Sequence, residues 1–330
     1  MEALAKSGHF TAQVRHLIDD ESKVGEARRS AQTLANFELD SQTAGKVAIV
    51  ATELANNLLR HAGGGELLVQ TLGSDGDTVI ELLAIDRGPG MQNVERCMQD
   101  GYSTGGTAGT GLGAVRRLAD EFDIYSTPGE GTVLMARFGK PLAAKFGAIC
   151  LPLDGEIECG DAWHLVSENG RTALMLVDGL GHGTFAAEAS QAGVNAFASS
   201  PWSPPVAVLE NASRLMSKTR GGAGACAFIE GERVSYAGVG NISGVIIGGE
   251  KSQGLVSHAG TLGTQHRRPQ QFEYTRAPGN LLVMHSDGVS ARWNLRDKPG
   301  LIMAHPALIA GVLYRDHGRA RDDSTIVVLA

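Results

Sequence analysis

Apolar positions recur at helical spacing over residues 21–35 and again over 41–62, which predicts two successive helices near the start of the chain. Asp40 and Ser41 offer N-caps for the second, and Gly63-Gly64-Gly65 offers its stop, because glycine enters the left-handed conformation that closes helices. Strand-like runs at 66–71 and 78–85 flank the turn sequence Ser74-Asp75-Gly76-Asp77 and predict a hairpin. A helix over 92–99, a Gly/Thr-rich stretch over 101–113, a helix from 114 to about 120 and a hairpin turning at Pro128-Gly129-Glu130-Gly131 complete the first half. Residues 8–19 are mixed in pattern. Beyond Gly139-Lys140-Pro141, strands are predicted over 172–177, 223–229, 234–237, 281–285 and 325–329, and helices over 185–198 and 205–217.

A chain of 330 residues exceeds one typical compact domain, so two are expected, at 1–140 and 146–330 with a short linker. The apolar fraction of 42% and charged fraction of 20% are those of a soluble globular protein, whereas 44 glycines are nearly twice the number expected from an average usage of about 7%. That excess points to functional loops. A net charge of -7 with no basic block argues against a nucleic-acid partner. Met1-Glu2-Ala3-Leu4-Ala5-Lys6 lacks a basic start leading into an apolar core, and no later apolar run nears the ~18 residues of a membrane span. A cytoplasmic protein without membrane association is expected. Cys97, Cys150, Cys159 and Cys226 form no Cys-x-x-Cys pair, so neither a zinc knuckle nor a disulfide framework is indicated.

Glu53 and Asn57 lie four apart in a predicted helix and so share one face. A carboxylate there could deprotonate an attacking hydroxyl and an amide oxygen could ligate Mg²⁺; the same pair also suits a solvated helix surface. At Ile85-Asp86-Arg87-Gly88-Pro89-Gly90 an apolar strand ends in an aspartate able to accept from an exocyclic amine, or simply in a turn. The glycine-rich run ending Gly109-Thr110-Gly111-Leu112-Gly113 enters a helix, whose free N–H groups could hold phosphates. Gly109-x-Gly111-x-x-Ala114 also meets a relaxed dinucleotide fingerprint, but a Gly/Thr loop precedes it where that fingerprint requires a buried strand.

In the second half Asp178, Asp287 and Asp322 sit at the ends of apolar runs, the first two followed by Gly179 and Gly288. One Asp-Gly is ordinarily a turn. Three strand-end carboxylates can converge on hard divalent cations, with glycine letting a carbonyl approach the metal.

Taken together, the segments at 53–57, 86–91 and 109–113 resemble the N, G1 and G2 boxes of the GHKL (Bergerat) ATPases over residues 8–138, most closely the small serine kinases of bacterial stressosome and anti-sigma switches. The resemblance implies an N-terminal Bergerat-type α/β sandwich that binds ATP and Mg²⁺. Glu53 would be the catalytic base, Asn57 the Mg²⁺ ligand and Asp86, with Gly88 and Gly90, the adenine site; Gly109, Gly111 and Gly113 would line the phosphates. Over residues 146–330, Gly160-Asp161-Ala162-Trp163, Val177-Asp178-Gly179-Leu180-Gly181-His182-Gly183, Gly238-Val239-Gly240-Asn241, His285-Ser286-Asp287-Gly288 and Arg321-Asp322-Asp323-Ser324-Thr325 resemble the PPM phosphatases of the bacterial sporulation and stress-response group. That resemblance implies a C-terminal α-β-β-α sandwich holding two Mn²⁺ or Mg²⁺. Asp178 would bridge the ions, Gly179 would give its carbonyl, and Asp287 and Asp322 would complete the core; Asp161 and Asp323 fit a third ion or a supporting role. His182 is a candidate acid, four residues after Asp178.

The expectation is thus a two-domain α/β signalling enzyme that phosphorylates and dephosphorylates a serine or threonine on a STAS-domain antagonist or stressosome scaffold. Two other readings are a phosphatase regulated by a non-catalytic ATP-binding domain, and a partner-switching module that sequesters an anti-sigma or sigma factor.

Overall fold

The computed structural model of the chain describes residues 13–73, 78–98, 111–249, 251–264 and 268–330. The predicted turn at 74–77 and the Gly/Thr-rich stretch up to Thr110, Gly109 included, lie outside them. Among the described residues, 143–293 and 316–330 form one compact unit, and 13–142 with 294–315 form the other.

The first unit along the chain opens with β1 (Val14–Ile18), α1 (Glu21–Glu38) and α2 (Ser41–Ala62), then β2 (Gly65–Leu72), β3 (Val79–Ile85), a short α3 (Val94–Cys97), α4 (Gly111–Leu118), β4 (Glu121–Thr127) and β5 (Gly131–Gly139). Asp40 caps α2 by accepting from Gln42 N and Thr43 N at 2.9 and 3.0 Å, and Gly63 ends it at φ 73°, as the sequence predicts. The strands form one antiparallel sheet in the order β1-β2-β3-β5-β4. Ala27, Ala31 and Ala35 of α1 and Val47, Val50, Leu54 and Leu58 of α2 bury against Leu67, Val69, Ile80, Leu82 and Leu134 on one sheet face.

On the opposite face, register places Gln70 beside Glu81, Glu81 beside Arg137 and Arg137 beside Glu121. Gln70 Nε2 donates to Glu81 Oε1 at 2.6 Å, and Arg137 Nε donates to Glu81 Oε2 at 2.7 Å. Glu81 is 1% exposed and Arg137 3%, a depth at which losing either partner costs about 3–5 kcal/mol. Residues 294–315 belong to this unit. They carry two short 3-10 turns and most of a helix, Pro306–His317.

The other unit contains β6 (Phe146–Leu151), β7 (Asp161–Glu168), β8 (Arg171–Gly179), α5 (Thr184–Ala198), α6 (Pro205–Leu215), β9 (Gly222–Glu230), β10 (Arg233–Val239), β11 (Ser243–Ile247), β12 (Ser252–Gly254), β13 (Phe272–Thr275), β14 (Leu281–His285) and β15 (Ser324–Leu329). Two five-stranded sheets run β13-β10-β9-β8-β7 and β12-β11-β14-β15-β6. Phe146 of β6 meets Trp163 of β7 edge-on, with centroids 5.8 Å apart, where the sheets face each other. Phe197 of α5 and Val208, Leu209 and Ala212 of α6 close the first sheet over Met175, Val177, Cys226 and Val239. The two-domain α/β architecture expected from the sequence is therefore present. Among the described residues no helix is long and apolar enough to cross a membrane.

Several elements exceed the sequence expectations: β1, β6, β7, β11 to β13, and α7 (Pro306–His317). The β7–β8 turn carries a usable signal, Asn169-Gly170, whose φ values of 53° and 77° suit a two-residue hairpin. α7 carries no amphipathic stripe, because every residue from Pro306 to Leu313 is buried. Gly311 sets how close it lies to the sheet. A Cβ there would stand 2.6 Å from Val133 Cγ1 and 3.5 Å from Leu83 Cδ2.

Gly311→Leu is expected to lower unfolding free energy by about 1–3 kcal/mol through overpacking, measured by urea denaturation. Unchanged stability would show that α7 does not rest on β3 and β5 at this point.

Candidate functional site

The N-terminal site begins on α2, where Glu53 and Asn57 are one turn apart and both half-buried. Gly111, the first residue of α4, faces them: a Cβ there would lie 3.0 Å from Glu53 Oε2 and 3.8 Å from Asn57 Oδ1. Glycine keeps that space open at a helix start, where N–H groups lack intrahelical partners. Asn57 Nδ2 is buried without a hydrogen-bond partner, and Gly113 is buried one residue into the helix beyond Leu112.

Asp86 ends β3 and is held from two sides. Its Oδ1 accepts from Gly88 N at 2.8 Å and from Thr132 N at 3.1 Å, so Oδ2 retains acceptor capacity. Burial raises its pKa, opposed by those two N–H groups and by Arg315. Gly88 packs on Ala62, where a Cβ would lie 2.7 Å from Ala62 Cα, and Gly90, at φ 65°, leaves no room for a side chain beside the Thr127 carbonyl. Gly129 N donates to Pro89 O at 2.7 Å and Met91 N to Ser126 Oγ at 2.8 Å. The segment 86–91 is thus clasped by the β4–β5 turn.

The second site gathers five aspartates. Antiparallel register sets Asp161 at the start of β7 directly opposite Asp178 near the end of β8, while Asp287 follows β14 and Asp322 and Asp323 precede β15. Asp178 is raised to about 8 by burial and then by Asp161, Asp287, Asp322 and Asp323. Asp161 is raised to about 7, again by burial first; hydrogen bonds with Ser286 and Thr325 oppose this, and Asp323 and Asp322 add to it. Burial and Asp287 raise Asp322, and burial raises Asp323. Asn241 Nδ2 donates to Asp287 Oδ2 at 2.7 Å, and Leu153 N donates to Asp323 Oδ1 at 2.8 Å.

Among the described residues no three His, Cys, Asp or Glu side chains stand as a ready ion cage. The aspartates are instead neighbours within each other's field. Asp161 Oδ2 and Asp323 Oδ2 are buried with no partner. Unpaired carboxylate oxygens in a mutually repelling group fit hard divalent cations, which would supply the missing charge. A side chain at Gly179 would overlap the Ala186 carbonyl and one at Gly288 the Asp323 carbonyl, so both glycines are required by backbone packing at the site. His182 is exposed and its Nδ1 lies 2.6 Å from Glu156 Oε1. Sequence reasoning did not single out Thr132, Glu156, Leu153 or Arg315, whose roles arise from contacts across long stretches of chain.

Comparison with known proteins assigns a domain type to each half of the chain. The family of histidine kinase-like ATPase domains matches residues 18–138, and the family of stage II sporulation protein E (SpoIIE) matches residues 168–330. The serine/threonine-protein kinase RsbT of Bacillus subtilis (strain 168) is 37% identical over 91 residues, covering 28% of this chain and 68% of RsbT. The anti-sigma F factor of Caldanaerobacter subterraneus subsp. tengcongensis is 30% identical over 94 residues, 27% of this chain and 64% of that protein. A solved structure of the bacterial stressosome, described as a modular system adapted to control secondary messenger signaling, aligns at a TM-score of 0.53 and 25% identity, covering 56% of this chain and 98% of that one. The matched domain types imply ATP for the first half and divalent metal for the second.

Asp161 and Asp178, at about 7 and about 8, hold protons more tightly when folded than in an unfolded chain, where aspartate titrates near ~4. Their contribution to stability is full below about pH 4 and is lost as pH rises through 7 to 8. In chelator, the melting temperature should therefore fall from about pH 5 to about pH 8.5, less steeply in Asp178→Asn, and stabilisation by Mn²⁺ should grow over the same window. A slope unaltered by Asp178→Asn contradicts the electrostatic assignment.

Proposed function

We propose a bifunctional switch from one premise: the chain belongs to the histidine kinase-like ATPases of the RsbT kind through its first half and to the SpoIIE phosphatases through its second. The first domain phosphorylates a serine or threonine of a regulatory protein, and the second removes that phosphate. The observation that carries the reading is the coexistence of two separate sites, Glu53 and Asn57 facing the start of α4 in one and five aspartates gathered at strand ends in the other. Likeness to RsbT, to an anti-sigma factor and to a stressosome structure supports a STAS-domain antagonist or stressosome scaffold as the partner.

In the kinase half, Asp86 accepts from the adenine amine through its free oxygen while Gly88 and Gly90 keep the surrounding backbone close. The N–H groups at the start of α4, from Gly111 to Gly113, receive phosphate oxygens. Asn57 holds Mg²⁺, and Glu53 takes the proton from the attacking hydroxyl.

In the phosphatase half, Asp178, Asp287 and Asp322 with the Gly179 carbonyl hold two Mn²⁺ or Mg²⁺ ions. Asp161, opposite Asp178, and Asp323 have unpaired oxygens with which to complete the set. Divalent ions held by these residues would supply a hydroxide nucleophile at neutral pH and positive charge for the phosphoryl oxygens. Asn241 orients Asp287, and Ser286 and Thr325 orient Asp161. His182, exposed and with Nδ1 2.6 Å from Glu156 Oε1, is the candidate acid of this half.

Incubation with Mg-ATP and a STAS partner should show Glu53→Ala abolishing phosphorylation while dephosphorylation survives, and Asp287→Asn doing the reverse, with phosphate located by mass spectrometry. Phosphorylation unchanged in Glu53→Ala would remove the base from this reading. Asp86→Asn should weaken ATP binding by about tenfold or more in calorimetry, the scale of one lost charged hydrogen bond. Equal ATP and GTP affinity would contradict adenine recognition by Asp86.

A further inference from the structure

Residues 294–315 belong by contact to the nucleotide-binding unit, yet in sequence they lie between two aspartate motifs of the phosphatase. Only 288–293 separate Asp287 from this segment, and only 316–321 separate the segment from Asp322. Its anchors fall on the hairpin that clasps the adenine box. Lys298 Nζ meets Glu130 Oε2 at 2.9 Å, Tyr125 OH donates to the Pro299 carbonyl at 3.2 Å, and His305 N donates to Asp123 Oδ2 at 2.8 Å. His305 Nδ1 accepts from Ala307 N at 3.1 Å, so its other nitrogen carries the proton that faces Glu121 Oε1 at 3.4 Å. Arg315, 3% exposed, reaches the box itself and donates from Nη1 to the Asp86 carbonyl at 3.5 Å.

The two ends of the segment are joined just beyond it. Val289 bridges Gly318, Ser290 N donates to His317 O at 2.9 Å, and Arg319 N donates to Gly288 O at 2.8 Å. Gly288 in turn presses on the Asp323 carbonyl. The flanks of the segment are thus hydrogen-bonded to each other, 288–290 with 317–319, within a few residues of Asp287 and Asp322.

We propose that residues 294–315 are a strap through which an adenine nucleotide at Asp86 controls phosphate release at the aspartate cluster of the same chain. This rests on reading Asp86 as the adenine acceptor. A ligand that changes the β4–β5 turn or the Asp86 carbonyl acts on Lys298, Pro299, His305 and Arg315 together, and linkage requires the effect to be reciprocal between binding sites.

The test uses the full chain, a phosphoserine peptide and ADP, which occupies the adenine site without donating phosphate, at fixed free Mn²⁺. Saturating ADP should change phosphatase kcat/KM by about fivefold or more, the usual lower range of allosteric coupling. Lys298→Glu should at least halve that response while leaving activity without ADP unchanged, and adding Glu130→Lys should restore it, which a merely structural defect would not do. Calorimetry on each variant confirms ADP occupancy. ADP that binds without altering kcat/KM overturns the strap and leaves the adenine reading standing. Failure of ADP to bind the wild-type chain overturns both. A response undiminished in Lys298→Glu and in Arg315→Met, with ADP bound, overturns this route.

Discussion

Asp161 and Asp178 face each other across β7 and β8, and burial, followed by Asp161, Asp287, Asp322 and Asp323, raises Asp178 to about 8. Like charges set opposite one another in a sheet are unfavourable, so the surrounding structure must hold them there. Close backbone packing does so. Gly179 against Ala186, Gly222 against the Asp178 carbonyl and Gly288 against the Asp323 carbonyl leave no space for side chains, which fixes the strand ends relative to one another. Two sheets closed over Trp163, Phe146 and the α5 and α6 core supply the rigidity. The demand for divalent cation follows from the same repulsion, since positive charge relieves what burial and mutual proximity impose.

The nucleotide-binding unit solves a different problem with similar means. Its ligand carries negative charge, so the site offers N–H groups and a helix start rather than carboxylates. Glycine again decides the approach: Gly111 opens the space before Glu53 and Asn57, and Gly88 lets the box lie on Ala62. Glu53 and Asp86 are the exceptions; Asp86 is a partly buried carboxylate whose one oxygen is satisfied by backbone N–H groups, which leaves the other for a donor.

The far face of that sheet shows why the strap segment has a defined seat. Gln70, Glu81 and Arg137 form a hydrogen-bonded row that would be costly to bury incompletely. His305, whose Nε2 proton faces Glu121 Oε1 at 3.4 Å beside the Arg137–Glu121 pair, extends the row through Glu121, while Gly311 brings α7 down onto Val133. Polar matching sets the register of the segment, and apolar contact at Leu83 and Val133 supplies area.

What the sequence determined by itself was everything written in short-range periodicity and turn chemistry. Asp40 and Gly63 bounded α2, Glu53 and Asn57 shared a helix face, Asp86 stood at a strand end, and Asp178 and Asp287 stood at strand ends directly before glycine. Those signals are local, set by the 3.6-residue turn of a helix, the pleat of a strand and the conformational freedom of glycine. The tertiary structure alone decided that Asp161 lies opposite Asp178 and that Arg315 touches the Asp86 carbonyl. It also buried Gln70, Glu81 and Arg137, which alternation in a strand would assign to water. α7 was illegible because a helix buried all round has no polar face to mark its period, and its place is set by contacts with residues more than a hundred positions away.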